Sequence, residues 1–147
     1  MIQAVTWFAV GCWMLASIGP INLITSRIIA AAIEVHRTLG PGLLESAYHA
    51  CLIYELHLGE LRVRSEKTIP IVYKGVTMGC SYQLDLLVED TVIVEIKAVE
   101  RVLPVHEAQL LTQLKMAGKP VGLLLNFNVP VMKDGIARKL NRAAMGG

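Results

Sequence analysis

Apolar positions along the chain change their spacing near residue 60, which predicts helices first and strands afterwards. Five apolar side chains recur at helical intervals in the first part: Ile24, Ile28, Ala31, Val35 and Leu39. Asn22 or Thr25 is suited to cap the start of this helix, and Gly40-Pro41-Gly42 to end it. A second helix is predicted over about 43–58, followed by Gly59.

Short apolar runs bounded by turn residues come next and predict strands. The runs cover 62–66, 68–73, 76–78, 82–88 and 91–97, with a turn at Lys74-Gly75. Then follow a helix from Pro104 to Met116, a buried strand over 121–127 and a closing helix over 134–142. This order predicts an α/β (α+β) fold, in which helices pack on the faces of a mixed β-sheet.

Charged residues interrupt two of the apolar strands, which is costly unless they are paired or bind a metal. Glu95 and Lys97 point to the same face because strand side chains alternate. If the two strands form a hairpin with facing apolar stripes, Asp85 lies opposite Glu95 across the turn Glu89-Asp90-Thr91. Two carboxylates beside an ammonium group suit a divalent cation. The alternative is a buried ion-pair cluster without metal.

The second helix offers Glu45 and Tyr48, three positions apart and therefore on one face. Glu45 either completes an oxygen-rich Mg²⁺ site or is favoured in the first turn by the helix dipole. Tyr48 is either a core residue or a substrate contact.

The helix after the hairpin carries Gln109 and Gln113 on one face, with His106, a candidate substrate contact, near its start. The two amides are suited to orient a metal-bound water or a phosphate, although Gln113 also fits a solvated helix face. A hard cation polarises a phosphoryl oxygen and acidifies water, and Lys97 can offset charge that develops there. These groups therefore match the needs of phosphodiester hydrolysis.

Composition limits the remaining interpretations. The 147 residues suit one domain, and a net charge of +2 excludes a strongly basic nucleic-acid coat. Four basic residues form either a local basic strip or scattered surface charge: Arg62, Arg64, Lys67 and Lys74. Three histidines without partner spacing are expected on the surface or satisfied in the core: His36, His49 and His57. The three cysteines show no metal-ligand spacing and suit a reducing compartment.

Residues 1–26 carry no charged side chain, and the apolar run ends at Gly19-Pro20. A signal peptide normally has a basic start, and a membrane span needs about 20 apolar residues. Three readings stay open for residues 1–20: a leader or loosely packed extension, a membrane anchor, or a signal-like segment. The expected domain is then 21–147, and the expected localisation is cytoplasmic or membrane-anchored.

Two motifs resemble a known superfamily. Asp85…Glu95-x-Lys97 resembles the PD-(D/E)XK nuclease signature, and Gly42-Leu-Leu-Glu45-Ser-Ala-Tyr48 matches the motif of the bacterial GxxExxY family within it. Further similar stretches occur in order at 39–48, 84–90, 94–100, 105–111 and 118–127. The resemblance spans about 22–143 and implies a restriction-endonuclease-like core, a Mg²⁺ or Mn²⁺ site, and hydrolysis of DNA or RNA.

The resemblance also implies roles for single residues. Asp85 and Glu95 would be metal ligands, Lys97 the catalytic lysine, and Glu45 the helix acid. Gln109 corresponds to the glutamine of a Gln-x-x-x-Tyr motif. Two positions depart from the pattern: Gln113 stands where Tyr is expected, and Gln83 where Arg is expected. Both departures remove groups able to contact phosphate or base, so a nuclease fold that binds nucleic acid without cleaving it is the alternative.

Overall fold

The computed structural model describes the backbone of residues 2–146 and the side chains of residues 19–146. The helices are α1 (Ile2–Leu39), α2 (Glu45–Leu58) and α3 (Pro104–Ala117). The strands are β1 (Val63–Ser65), β2 (Thr68–Tyr73), β3 (Val76–Gln83), β4 (Leu86–Val88), β5 (Val92–Lys97), β6 (Val121–Asn126) and β7 (Ile136–Leu140). Short 3₁₀ turns occupy Met132–Gly135 and Arg142–Ala144.

Helix α1 begins earlier than the sequence predicted and continues through Gly19-Pro20. The predicted start near residues 22–25 was wrong, because a proline inside a helix removes one hydrogen bond without necessarily ending the helix. The three interpretations of residues 1–20 depend on their side chains, and the structure describes only those of residues 19 and 20 in this segment. Within the described residues, no helix combines the length and the apolar character needed to cross a bilayer.

Five strands form a mixed sheet in the order β1-β4-β5-β6-β7, with β5 and β6 parallel and the other pairs antiparallel. Helices α1 and α2 pack on one face of this sheet and α3 packs on the other. The two faces alternate along β5, so Val94 belongs to the α1–α2 core and Ile93 to the α3 core. This arrangement confirms the predicted fold class.

The hairpin β4–β5 has the predicted register. Leu86 pairs with Val94 and Val88 with Val92, across a turn of three residues. Glu89 and Asp90 in this turn both have positive φ. Asp85 lies one step beyond the last pair, on the line that leads to Glu95.

Strands β2 and β3 form a separate two-stranded ribbon that continues the antiparallel pair β1–β4 around a corner. At the corner, the N–H of Leu84 donates to the carbonyl of Lys67 at 2.8 Å, and the N–H of Glu66 donates to the carbonyl of Asp85 at 3.1 Å. The sequence predicts a break between residues 78 and 82, whereas β3 runs unbroken over Val76–Gln83 and the break lies at the corner. Asp85 therefore lies between the two regular strand pairs, after the end of β3 and before the start of β4.

The predicted closing helix over 134–142 was wrong, because this segment contains β7, which pairs antiparallel with β6. Gly135 explains the sharp return of the chain, since a Cβ at this position would collide with the carbonyl oxygen of Asn126. After that turn, five residues complete the hydrogen bonds along the open edge of β6. Such pairing outweighs the weak helical preference of a short segment.

Candidate functional site

Asp85 is anchored against strand β5. Its Oδ2 accepts the backbone N–H of Ile96 at 2.8 Å. The residue is half-buried. Ile96 lies between Glu95 and Lys97, so this bond holds the Asp85 carboxylate beside the Glu-x-Lys segment.

Glu95 is buried on the α3 side of the sheet, with 8% of its surface exposed. The Lys97 Nζ lies 3.4 Å from its Oε1, and the Gln113 Nε2 lies 3.5 Å from its Oε2. Burial raises the pKa of Glu95, and the negative charge of Asp85 raises it further. Lys97 and Gln113 act in the opposite direction but do not cancel the effect. A positive ligand would therefore stabilise the ionised pair of carboxylates.

The two glutamines of α3 lie in different environments. Gln113 is buried, and its Oε1 has no hydrogen-bond partner among the described residues. Gln109 is exposed one turn earlier. Gln113 therefore does not lie on a solvated helix face, because it is buried and its Nε2 contacts Glu95.

A cavity of about 200 Å³ opens on the α2 side of the same corner. It is lined by Glu45, Ser46, His49, Glu66, Gln83, Asp85 and Ile96. Glu45, the first residue of α2, is exposed and shares this cavity with Asp85. Asp85 therefore lies between two groups of predicted residues: Glu45 in the cavity, and the Glu95–Lys97 pair on the α3 side.

His49 belongs to this cavity although sequence analysis gave it no role. Its Nε2 lies 3.3 Å from the Asp85 carbonyl oxygen and 3.4 Å from the Ser65 Oγ. The signal that could have found it is its spacing of four from Glu45, which puts both side chains on one face of α2. Ser46 and Glu66 also line the cavity, and no motif marked them.

Tyr48 and His106 have structural explanations. Tyr48 is fully buried and stacks on Phe127 with ring centroids 4.6 Å apart. Its hydroxyl donates to the Gly40 carbonyl at 2.6 Å and accepts the Leu43 N–H at 3.1 Å. The His106 Nδ1 accepts the Leu103 N–H at 3.0 Å and so caps α3. Tyr48 thus fixes the loop before α2, and His106 the start of α3.

The sequence of the chain matches a known protein superfamily over most of its length. The sequence pattern of the PD-(D/E)XK nuclease superfamily matches residues 22–139, which include Glu45, Asp85, Glu95 and Lys97. The chain belongs to the PD-(D/E)XK nuclease superfamily. Neither the curated proteins nor the solved structures contain a significant match.

PD-(D/E)XK nucleases generally use divalent metal ions. Among the side chains of residues 19–146, no three or more of the His, Cys, Asp and Glu types are grouped so that they could hold a metal ion. The carboxylates of Glu45, Asp85 and Glu95 accordingly do not form a three-ligand cluster. Asp85 and Glu95 are the pair that interacts electrostatically.

Proposed function

We propose that this protein is a nuclease of the GxxExxY group that hydrolyses phosphodiester bonds of DNA or RNA with the help of Mg²⁺ or Mn²⁺. One observation carries the proposal. Asp85 is held against Ile96, and the neighbouring Glu95 has the ammonium group of Lys97 at 3.4 Å. An acidic pair with an adjacent amine is the arrangement that metal-assisted phosphodiester hydrolysis needs.

The donor set fits a divalent cation. Asp85 and Glu95 repel each other, and the buried Gln113 Oε1 accepts no hydrogen bond from any described residue. Mg²⁺ is commonly bound through one or two carboxylates, with waters and substrate phosphates as its other ligands, so a third protein ligand is not required. An ion bound by Asp85 and Glu95 would polarise a phosphoryl oxygen and lower the pKa of a bound water.

The remaining residues have distinct roles in this proposal. Lys97, whose side chain is 19% exposed, can turn its ammonium group toward the phosphoryl oxygens and stabilise the negative charge that grows on them. Glu45 and His49 face Asp85 across the cavity and can hydrogen-bond a water or a substrate hydroxyl. Gln113 orients the Glu95 carboxylate from the α3 side.

The structure also gives physical meaning to the motif Gly42-x-x-Glu45-x-x-Tyr48, which supports the GxxExxY assignment. Gly42 has φ +98°, a backbone conformation that L side chains rarely adopt. Tyr48 ties the preceding loop to the helix through its hydroxyl. Together they fix the start of α2, and with it the position of Glu45 at the cavity.

Cleavage assays with the full-length protein test this function. Labelled single-stranded DNA, duplex DNA and RNA are incubated with Mg²⁺, Mn²⁺ or EDTA. Cleavage should require the metal, and both Lys97→Ala and Asp85→Asn should lower its rate by about 100-fold or more. Lys115→Ala, which removes an exposed lysine of α3, is the matched control and should keep the wild-type rate.

The second candidate is a nuclease-fold module that binds nucleic acid without cleaving it. It is favoured by the missing three-ligand cluster among the described side chains and by Gln113 in place of a tyrosine. Calorimetric titration with Mg²⁺ and Mn²⁺ separates the two candidates. Absence of metal binding, together with salt-dependent nucleic-acid binding that Lys97→Ala leaves unchanged, would replace the nuclease proposal with this module.

A further inference from the structure

The β2–β3 ribbon has one apolar face and one largely polar face. Cross-strand pairs share a face, and alternate positions along each strand point the same way. The apolar face carries the pairs Ile69–Tyr82 and Tyr73–Val76, and between them lies a bulge with three further apolar residues: Ile71, Met78 and Cys80. The opposite face carries Thr68, Pro70, Val72, Thr77, Ser81 and Gln83. Such alternation is typical of a sheet with one covered face.

Most of this apolar face is not covered within the chain that the structure describes. Only its base is packed, where Ile69 contacts the core beneath α3. Farther out, Tyr73 is 61% exposed, Val76 60% and Met78 42%. An exposed apolar face rimmed by polar residues marks a binding surface.

The charge of the ribbon and its corner narrows the choice of ligand. Arg64, Lys67 and Lys74 are opposed there only by Glu66, which gives residues 64–83 a net charge of +2, as large as that of the whole chain. The Lys74 Nζ lies 5.4 Å from the centroid of the Tyr73 ring. Exposed aromatic rings beside cations form a surface on which bases stack while phosphates are neutralised.

The ribbon also leads to the proposed site. Its apolar face lies on the α3 side of the sheet, because Ile69 packs against the α3 core. Arg64 pairs with Leu87, whose side chain lies in the α3 core, so Arg64 is on the same side of the sheet as Glu95 and Lys97. A strand lying along the ribbon would therefore end at the corner where Asp85 is held.

A second copy of the chain fits this face less well. A symmetric contact between two copies would place the positive charges of residues 64–83 against each other, which is unfavourable. The phosphates of a nucleic acid neutralise these charges instead, and a stacked base needs only one exposed ring.

We infer that the apolar face of the β2–β3 ribbon binds a single strand of nucleic acid, stacking a base on Tyr73 while Lys74, Lys67 and Arg64 contact its phosphates. The inference rests on the proposed function and names its substrate class. A single strand is favoured because its bases are free to unstack onto an aromatic ring, while the bases of a duplex are not.

Fluorescence anisotropy with the full-length protein tests the stacking contact. The probe is a fluorescein-labelled oligothymidylate of about 20 nucleotides in EDTA, long enough for the 4–16-nucleotide footprints of single-strand binding folds. Tyr73→Ala should weaken binding about fivefold or more, and Tyr73→Phe should restore it, because the ring makes the contact. Tyr54→Ala is the matched control, since Tyr54 is 65% exposed on α2, outside the ribbon.

Salt dependence tests the phosphate contacts. Lys74→Gln should reduce the slope of log K against log salt by about 0.7, the value for one phosphate of a single strand. Lys133→Gln, which removes an exposed lysine of the turn before β7, should leave the slope unchanged.

Four results would overturn the inference: no binding of the oligothymidylate by wild type, wild-type affinity in Tyr73→Ala, tighter binding of a duplex than of the single strand, or a dimer that Tyr73→Ala abolishes without changing the affinity. Melting curves check that each variant is folded.

Cleavage assays separate this inference from the proposed function. Binding that depends on Tyr73, without metal-dependent cleavage, refutes the nuclease and supports the ribbon. Metal-dependent cleavage in which Tyr73→Ala keeps the wild-type KM supports the nuclease and refutes the ribbon as the binding surface.

Discussion

Asp85 combines a structural and an electrostatic role in one side chain. Its carboxylate satisfies the Ile96 N–H, and its charge raises the pKa of Glu95. The first role needs only an acceptor oxygen, whereas the second needs the negative charge. Two substitutions at this position can therefore separate the roles.

Asp85→Ala should lower the free energy of unfolding by about 1–3 kcal/mol, because the Ile96 N–H loses its acceptor. Asp85→Asn keeps a side-chain oxygen and removes the repulsion toward Glu95, so its unfolding free energy should stay close to that of wild type. Urea denaturation measures both. Equal losses in the two variants would show that the hydrogen bond is not what Asp85 contributes.

Residue-level prediction from sequence succeeded where strand periodicity was enough. The three-residue turn gave the register of the hairpin β4–β5, and alternation placed Glu95 and Lys97 side by side on one face. Residue-level prediction gave His49 no role and left two alternatives for Gln113, because the environments of both depend on how α2 and α3 pack against the sheet. Helix periodicity reports a face, but not which neighbouring strand meets that face.

At the scale of elements, α3 reaches the sheet closely because β6 contains a glycine. A Cβ at Gly122 would lie 2.7 Å from the Leu110 Cδ1 and 2.9 Å from its Cγ. Leu110 is fully buried and has little room to move. The contact sets the distance between α3 and the sheet, and through Gln113 the position of the amide at Glu95.

Gly122→Ala should destabilise the protein by about 1–3 kcal/mol, the usual cost of overpacking a core. Gly79→Ala is the control, because nothing lies within 4 Å of its added methyl group. Thermal unfolding of the two variants measures the difference. A wild-type melting temperature for Gly122→Ala would mean that α3 adjusts without cost.

The hairpin turn before β5 provides a test of pH dependence. The Glu89 carboxylate accepts the backbone N–H of Arg62 at 2.8 Å and its side-chain Nε–H at 2.9 Å. The backbone bond first, and the side-chain bond second, lower the pKa of Glu89. A lowered pKa means that the stabilisation is present above the pKa of the unfolded state and is lost as the pH falls through the folded one.

Glu89→Gln should therefore be less stable than wild type at pH 7, by a few tenths to about 1 kcal/mol for so exposed a pair. The difference should disappear as the pH falls below the lowered pKa. Urea titrations at several pH values measure it. A difference that persists unchanged in acid would exclude ionisation of Glu89 as its cause.

Whole elements were predicted well where local residues mark them, and were missed where they depend on pairing between distant segments. Strand β2 and the ends of α2 and α3 were predicted closely, since Gly59 and Gly118 mark the helix ends directly. Strand β7 was missed because its five residues gain strand structure only by pairing with β6. The corner at Asp85 was also missed, since it depends on hydrogen bonds between β1–β2 and β3–β4.

At the scale of the whole molecule, the proposed site joins two separately packed layers. The α1–α2 core and the α3 core lie on opposite faces of the sheet. Glu45 belongs to the first layer and Gln113 to the second, with Asp85 and Glu95 between them. A ligand held by Asp85 and Glu95 would therefore couple both layers to the sheet.

Divalent metal should raise the melting temperature for this reason. A metal at 100 times its Kd adds about 2.7 kcal/mol of stability if it binds only the folded state. Calorimetric melting with Mg²⁺ or Mn²⁺ measures the shift, with sodium sulfate at equal ionic strength as the control. Asp85→Asn should abolish most of the shift, and an equal shift in that variant would place the bound ion elsewhere.

The strands at the margins of the molecule carry features that hinder pairing with other chains. Strand β1 is only three residues long, β7 carries Arg138 and Lys139, and β2 contains Pro70, which has no N–H to donate. Short length, positive charge and proline each obstruct the addition of a foreign strand. In a chain that is 54% hydrophobic, these features hinder the addition of a further strand at the margins formed by β1, β7 and β2.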